Sequence, residues 1–124
     1  MQHVLVVGAT SAVAQSFIRE RARRGERLTL VARSAERLAP VAADAQVRGA
    51  AAVDTHALDL TSVAAPATVL ATLAQPVAVA LIAHGSLTDS ARAEADAAYL
   101  AQELAVNMTS ACLWAQALAT HMAA

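Results

Sequence analysis

The sequence predicts an α/β domain: a parallel sheet with flanking helices. Short, continuous apolar runs recur along the chain, each closed by small or polar turn residues. Between them lie longer stretches with apolar side chains at helical spacing, and the two kinds of segment alternate from the first strand onward. A run without polar alternation suits a strand covered on both faces. Parallel sheets place strands that way, and right-handed crossover helices supply the cover.

Residues 4–7, Val-Leu-Val-Val, form the first predicted strand and end at Gly8. A helix over 12–24 follows, with Val13, Phe17, Ile18 and Ala22 on one side, Arg19, Arg23 and Arg24 on the other, and Gly25 as its stop. Residues 28–32 are the second strand, and a helix runs from about 35 to 48 before Gly49. Pro40 fits a first turn better than a helix interior, so this helix is expected to begin later than Ser34 suggests. A third strand over 52–58, a third helix over 62–74 with Pro66 near its start, and a fourth strand over 77–83 complete the pattern. One long helix is expected over about 91–122. No repeat, low-complexity linker or internal boundary appears, so residues 1–124 read as one domain.

The 57% hydrophobic content of 124 residues is enough for one core. The nine arginines are scattered among ten acids, for a formal charge of −1, which leaves no basic face for nucleic acid. No apolar run approaches the ~20 residues of a membrane-spanning helix, and Met1-Gln2-His3 leads straight into a strand, so a cytoplasmic location and no membrane partner are expected. The single cysteine, Cys112, reads as a small core residue. His3, His56 and His121 lack ligand spacing, read as surface or edge residues, and predict no metal.

Gly8, Thr10, Ser11, Ala12 and Val13 join the first strand to the first helix. Free backbone N–H groups and the helix dipole at such a junction favour a pyrophosphate, although an ordinary strand-to-helix turn would read similarly. Arg33 closes the second strand. In a dinucleotide-binding unit an acid there accepts from the adenosine ribose, whereas an arginine accommodates a 2′-phosphate. Ser11, Ser34 and Arg37 are near enough in sequence to assist, so NADP(H) is expected over NAD(H).

These residues together resemble the short-chain dehydrogenase/reductase family. Gly8-x-x-x-Ala12-x-Ala14 is similar to the family's Gly-x-x-x-Gly-x-Gly turn, with alanine at the second and third positions, as in a bacterial subgroup. Asp59-Leu60 resembles the pair whose carboxylate faces the adenine amino group. Ala83-His84-Gly85 stands where the family has Asn-Ala-Gly, a segment that lines the cofactor ribose, with His84 as a departure. Asn107 resembles the asparagine that helps hold a water in the family's proton relay, and helical phase places it beside a stripe of Leu100, Leu104, Met108, Ala111, Ala115, Leu118 and Met122 expected to face the sheet.

The resemblance implies a Rossmann-like fold truncated after the fourth βα unit, binding a dinucleotide cofactor and serving an unidentified small-molecule substrate. It also implies a serine and a Tyr-x-x-x-Lys that this chain does not contain: there is no lysine, and Glu103 stands four residues after the only tyrosine, Tyr99. An anion beside a phenol raises its pKa, so Tyr99 is not expected to be the acid. The expectation is therefore an inactive partial reductase; a complete non-catalytic nucleotide-binding domain and a flavodoxin-like interaction domain are the alternatives. Tyr99, Val106 and Leu113 recur every seven residues with Ala117 beside them, and are expected to form a second apolar face that pairs subunits.

Overall fold

The computed structural model describes residues 1–124 as a three-layer α/β unit. Four parallel strands, β1 (His3–Val7), β2 (Arg27–Ala32), β3 (Ala52–Ala57) and β4 (Val79–Ile82), form one sheet in the order β3-β2-β1-β4. The order reverses direction at β1, since β2 and β4 lie on opposite sides of it. Crevices for ligands form at the carboxyl ends of strands where an open sheet reverses in this way.

β1 is buried throughout, and its alternating side chains feed two cores. Val4 and Val6 pack with Leu28, Leu30 and Ala32 beneath α1 (Ala12–Arg23) and α2 (Ala35–Arg48). Leu5 and Val7 pack with Val31 against α3 (Ala65–Leu70) and the last helix, through Val69, Trp114 and Leu118. His3 shares that second face and is buried, with Nε2 2.7 Å from Thr29 Oγ1 and Nδ1 3.0 Å from Gln75 O. The surface position expected for His3 is thus corrected: a parallel strand inserted between two others covers its first residue as well.

Ser11 and Ser34 cap α1 and α2, each accepting at 3.2 Å from the N–H three residues on, and Gly25 and Gly49 follow the helices at positive φ. α2 begins at Ala35 and carries Pro40 inside it, so the later start expected from Pro40 does not occur. Pro40 is exposed, and it removes one N–H from the helical ladder. On α1 the inward residues are Ala14, Ile18 and Ala22; Val13, expected among them, is 71% exposed.

α3 is shorter than expected, with Pro66 in its first turn. The expected single helix over 91–122 is broken. α4 (Ser90–Ala95) ends at Asp96, which caps α5 (Ala97–Leu104) by accepting from Ala98 N and Tyr99 N at 3.1 Å. A π turn over Ala105–Thr109 then leads into α6 (Ser110–Ala123).

A π turn adds one residue to the helical circuit, so the faces of α5 and α6 are out of the phase that a uniform 100° per residue predicts. Ser110, Trp114 and Leu118 are the buried residues of α6. Of the stripe expected to face the sheet only Leu118 is buried, while Leu100, Leu104 and Met108 are 41%, 45% and 55% exposed. Conversely, Tyr99, Val106, Leu113 and Ala117, expected on the outer face, are half-buried. Cys112 is exposed rather than a core residue. No helix is long and apolar enough to cross a membrane.

Candidate functional site

A cleft of about 750 Å³ opens over the carboxyl ends of the strands. From the turn after β1 it takes Gly8, Thr10 and Ser11. Gly8 has φ of +83°, and a Cβ there would lie 2.6 Å from His84 Cα and 2.8 Å from Ala83 C. The turn after β1 and the end of β4 can therefore meet only with glycine at this position. Ser11 satisfies Ala14 N, which leaves the first-turn N–H groups of Ala12 and Val13 without a helical partner. The Ala12 and Val13 side chains are exposed outside the cleft, so only their backbone can serve a ligand.

Arg33, Ser34 and Arg37 line the end beyond β2. The Ser34 hydroxyl accepts from Arg37 N, whereas Arg33 and Arg37 are in none of the ion pairs of the chain. Asp59, Leu60 and Thr61 border the cleft after β3. Asp59 Oδ1 accepts from Thr61 Oγ1 at 2.7 Å and Thr61 N at 2.9 Å. These bonds, the hydroxyl first, and the field of Arg33 hold the exposed carboxyl below its ordinary range.

Ala83, His84, Gly85 and Ser86 line the cleft after β4. His84 Nε2 lies 2.8 Å from Ser110 Oγ, and Ser110 Oγ donates to Leu60 O at 2.7 Å. Trp114 Nε1 donates to the same carbonyl at 3.1 Å. Nδ1 of His84 is buried without a partner, and burial lowers the pKa of the ring.

Asn107 does not line the cleft and does not face the sheet. From the π turn its Oδ1 accepts from Ser86 N at 2.7 Å, and its Nδ2 donates to Thr88 Oγ1 and Glu103 Oε2 at 3.3 Å. Gly85 permits this approach, since a Cβ there would lie 2.9 Å from Asn107 Oδ1. The sequence had not singled out Ser86 or Glu103 as ligand-facing. Glu103 lies one helical turn before Asn107, but its partner Ser86 is 17 residues away, beyond the reach of any local spacing.

Tyr99, Gln102, Glu103 and Val106 complete the α5 wall. Tyr99 OH accepts from Asp89 N at 3.0 Å, which lowers the phenol pKa, but the Glu103 carboxylate and desolvation outweigh it and the net direction is upward.

The arrangement offers a narrow glycine turn with free N–H groups at its centre, two guanidinium groups at one end and a carboxylate at the other. Known proteins share this fold. The family model for short chain dehydrogenase matches residues 2–124. Among solved structures, the chain is similar to an F189W actinorhodin polyketide ketoreductase with NADPH (TM-score 0.87, 22% identity, 98% of this chain and 47% of that one). It is also similar to a putative dehydrogenase from Burkholderia cenocepacia with bound NADP (TM-score 0.86, 23% identity, 98% and 48%). A third is the bulky-bulky ketone specific alcohol dehydrogenase from Comamonas testosteroni (TM-score 0.86, 24% identity, 99% and 50%). No curated protein matches. The chain thus spans about half the length of these structures. With four parallel strands, a glycine turn at the point of sheet reversal and a family match along nearly its whole length, the chain belongs to the short-chain dehydrogenase family.

Proposed function

We propose that the chain binds NADP(H) across the carboxyl ends of β2, β1 and β4, as the nucleotide-binding portion of a reductase acting on a carbonyl or alcohol. The observation that carries this reading is the pair Arg33 and Arg37 on the cleft wall beyond β2, with no carboxylate directly after that strand to accept from a ribose hydroxyl. Two similar structures contain NADPH or NADP, which supports the same choice.

The residues fit the group. Arg33 and Arg37, with Ser34, would hold the 2′-phosphate; the N–H groups of Ala12 and Val13, with Thr10 and Ser11, would hold the pyrophosphate. Asp59 and Leu60 would border the adenine, and Ala83, His84 and Gly85 the ribose beyond β4. Bound there, the dinucleotide supplies or accepts the hydride. Asn107 is a positioning residue: it fixes the segment after β4 through Ser86 N. Tyr99 is not the proton donor, because its phenol is raised by Glu103 and no lysine accompanies it. Subunits pair through the exposed face of α5 and the π turn, and the protein acts in the cytoplasm.

Titration of the purified chain with NADP⁺ and NAD⁺ tests the reading. NADP⁺ is expected to bind more tightly, and Arg33→Asp to reverse or abolish the preference. Equal affinities in the unmodified chain would overturn it.

A further inference from the structure

The cleft is electrically polar along its length. Arg33 and Arg37 stand beyond β2, and Glu103 reaches the lining from α5 at the side of β4. The order β3-β2-β1-β4 places β1 between them, so two strand spacings, about 10 Å, separate the ends of β2 and β4. Asp59, the other cleft carboxylate, belongs to the β3 side, with one oxygen occupied by Thr61.

Glu103 is held in place. Its carboxylate accepts from Ser86 Oγ and from Asn107 Nδ2 at 3.3 Å, with the Tyr99 hydroxyl beside it. These groups, Ser86 first and Tyr99 next, keep it below the ordinary carboxylate range, with Arg92 and Asn107 contributing. Arg92 is the cation on this side, but it stacks 4.1 Å from the Tyr99 ring centroid and does not line the cleft. The loop that carries Ser86 is itself fixed by Asn107 to Ser86 N and by Tyr99 OH to Asp89 N. A ligand thus meets an anchored negative charge whose nearby cation lies outside the lining.

We infer that Glu103 determines specificity for the charge of the group bound at the β4 end of the cleft, so that a dinucleotide with a cationic nicotinamide is held more tightly than its neutral, reduced form. The inference rests on the NADP(H) reading above, which places the 2′-phosphate on Arg33 and the other end of the molecule over β4. The two redox forms share adenine, riboses and phosphates, so contacts with those parts cancel in the ratio of their affinities. Only the ring differs, by a hydride at C4 and the positive charge that it neutralises. Were a hydride to pass with its electron pair to the carbonyl carbon of the substrate class proposed above, the ring would acquire the positive charge that Glu103 favours. Glu103 therefore also makes the bound reduced form a stronger hydride donor.

The test measures dissociation constants of NADP⁺, NADPH and adenosine 2′,5′-bisphosphate for the unmodified chain, Glu103→Gln and Glu103→Lys. The ratio Kd(NADPH)/Kd(NADP⁺) is expected to fall about fivefold in Glu103→Gln, a modest value for one charge pair in a solvated cleft, and further in Glu103→Lys. Affinity for the bisphosphate, which lacks the nicotinamide end, should not change. An unmoved ratio with intact bisphosphate binding overturns the role of Glu103 and leaves the cofactor reading standing. Failure of the unmodified chain to bind either the bisphosphate or a dinucleotide overturns both. If the variants do not fold, the same ratio is followed in the unmodified chain as salt is raised. Screening must move it toward NADPH, and a salt-independent ratio overturns the inference.

Discussion

His84 joins the cleft to the core through Ser110, with Nε2 2.8 Å from Ser110 Oγ. The serine proton goes to Leu60 O, so the ring donates through Nε2 and Nδ1 remains a bare, buried acceptor without a partner. Protonation at Nδ1 would bury a donor with nothing to accept from it.

Burial lowers the His84 pKa in the folded chain from its ordinary 6.5. The folded state therefore favours the neutral ring, and this contribution is fully present above pH 6.5 and is lost as pH falls from there through the folded pKa. Urea midpoints measured across this window should drop more steeply for the unmodified chain than for His84→Gln. Parallel curves would show that His84 does not carry the dependence.

Gly8→Ala should weaken both the fold and the site. The left-handed backbone costs roughly 1–2 kcal/mol with a side chain present, and the collision of the new Cβ with Ala83 and His84 adds to it. Chemical denaturation should show the loss. Dinucleotide affinity should fall with it, because separating the two turns widens the centre of the cleft.

Arg33→Asp should cost NADP⁺ affinity at least about tenfold, the scale of a hydrogen bond to a charged group. Arg37→Ala should cost less, since Arg37 lies one helical turn beyond the strand end. Calorimetric titration with NADP⁺ and NAD⁺ in parallel separates a loss of phosphate recognition from a general loss of binding.

Trp114 is fully buried and donates to Leu60 O, directly beneath a residue that lines the cleft. Trp114→Ala should destabilise the chain by about 3–5 kcal/mol. Trp114→Phe should cost less, because Ser110 still satisfies the carbonyl. As the single tryptophan, Trp114 should also report ligand binding at Leu60 by a change in fluorescence.

Leu100, Leu104 and Met108 form the exposed apolar face of α5 and the π turn. Changing Leu100 and Met108 together to Glu should shift sedimentation toward the monomer at micromolar concentration, with the fold intact. The pair Val106 and Leu113 is half-buried, and changing both to Glu should instead lower stability. A monomeric unmodified chain would remove self-association from the proposal.

The strands, their order of appearance and the glycine stops at Gly25 and Gly49 were legible from sequence alone, whereas the caps at Ser11 and Ser34 emerged from the structure. The legible features depend on side-chain period or on backbone chemistry within a few residues. Gly8, Arg33 and Asp59 were legible for the same reason: they stand at strand ends, and strand ends define the cleft of a parallel sheet. Only the tertiary structure decided that His3 is buried, that Val13 and Cys112 are exposed, and that the π turn at Ala105–Thr109 changes the phase of the last helix. The same holds for Glu103, which gains its place at the cleft through a bond to Ser86, 17 residues away along the chain. Pairings over such separations depend on how finished elements pack, and no local periodicity encodes them.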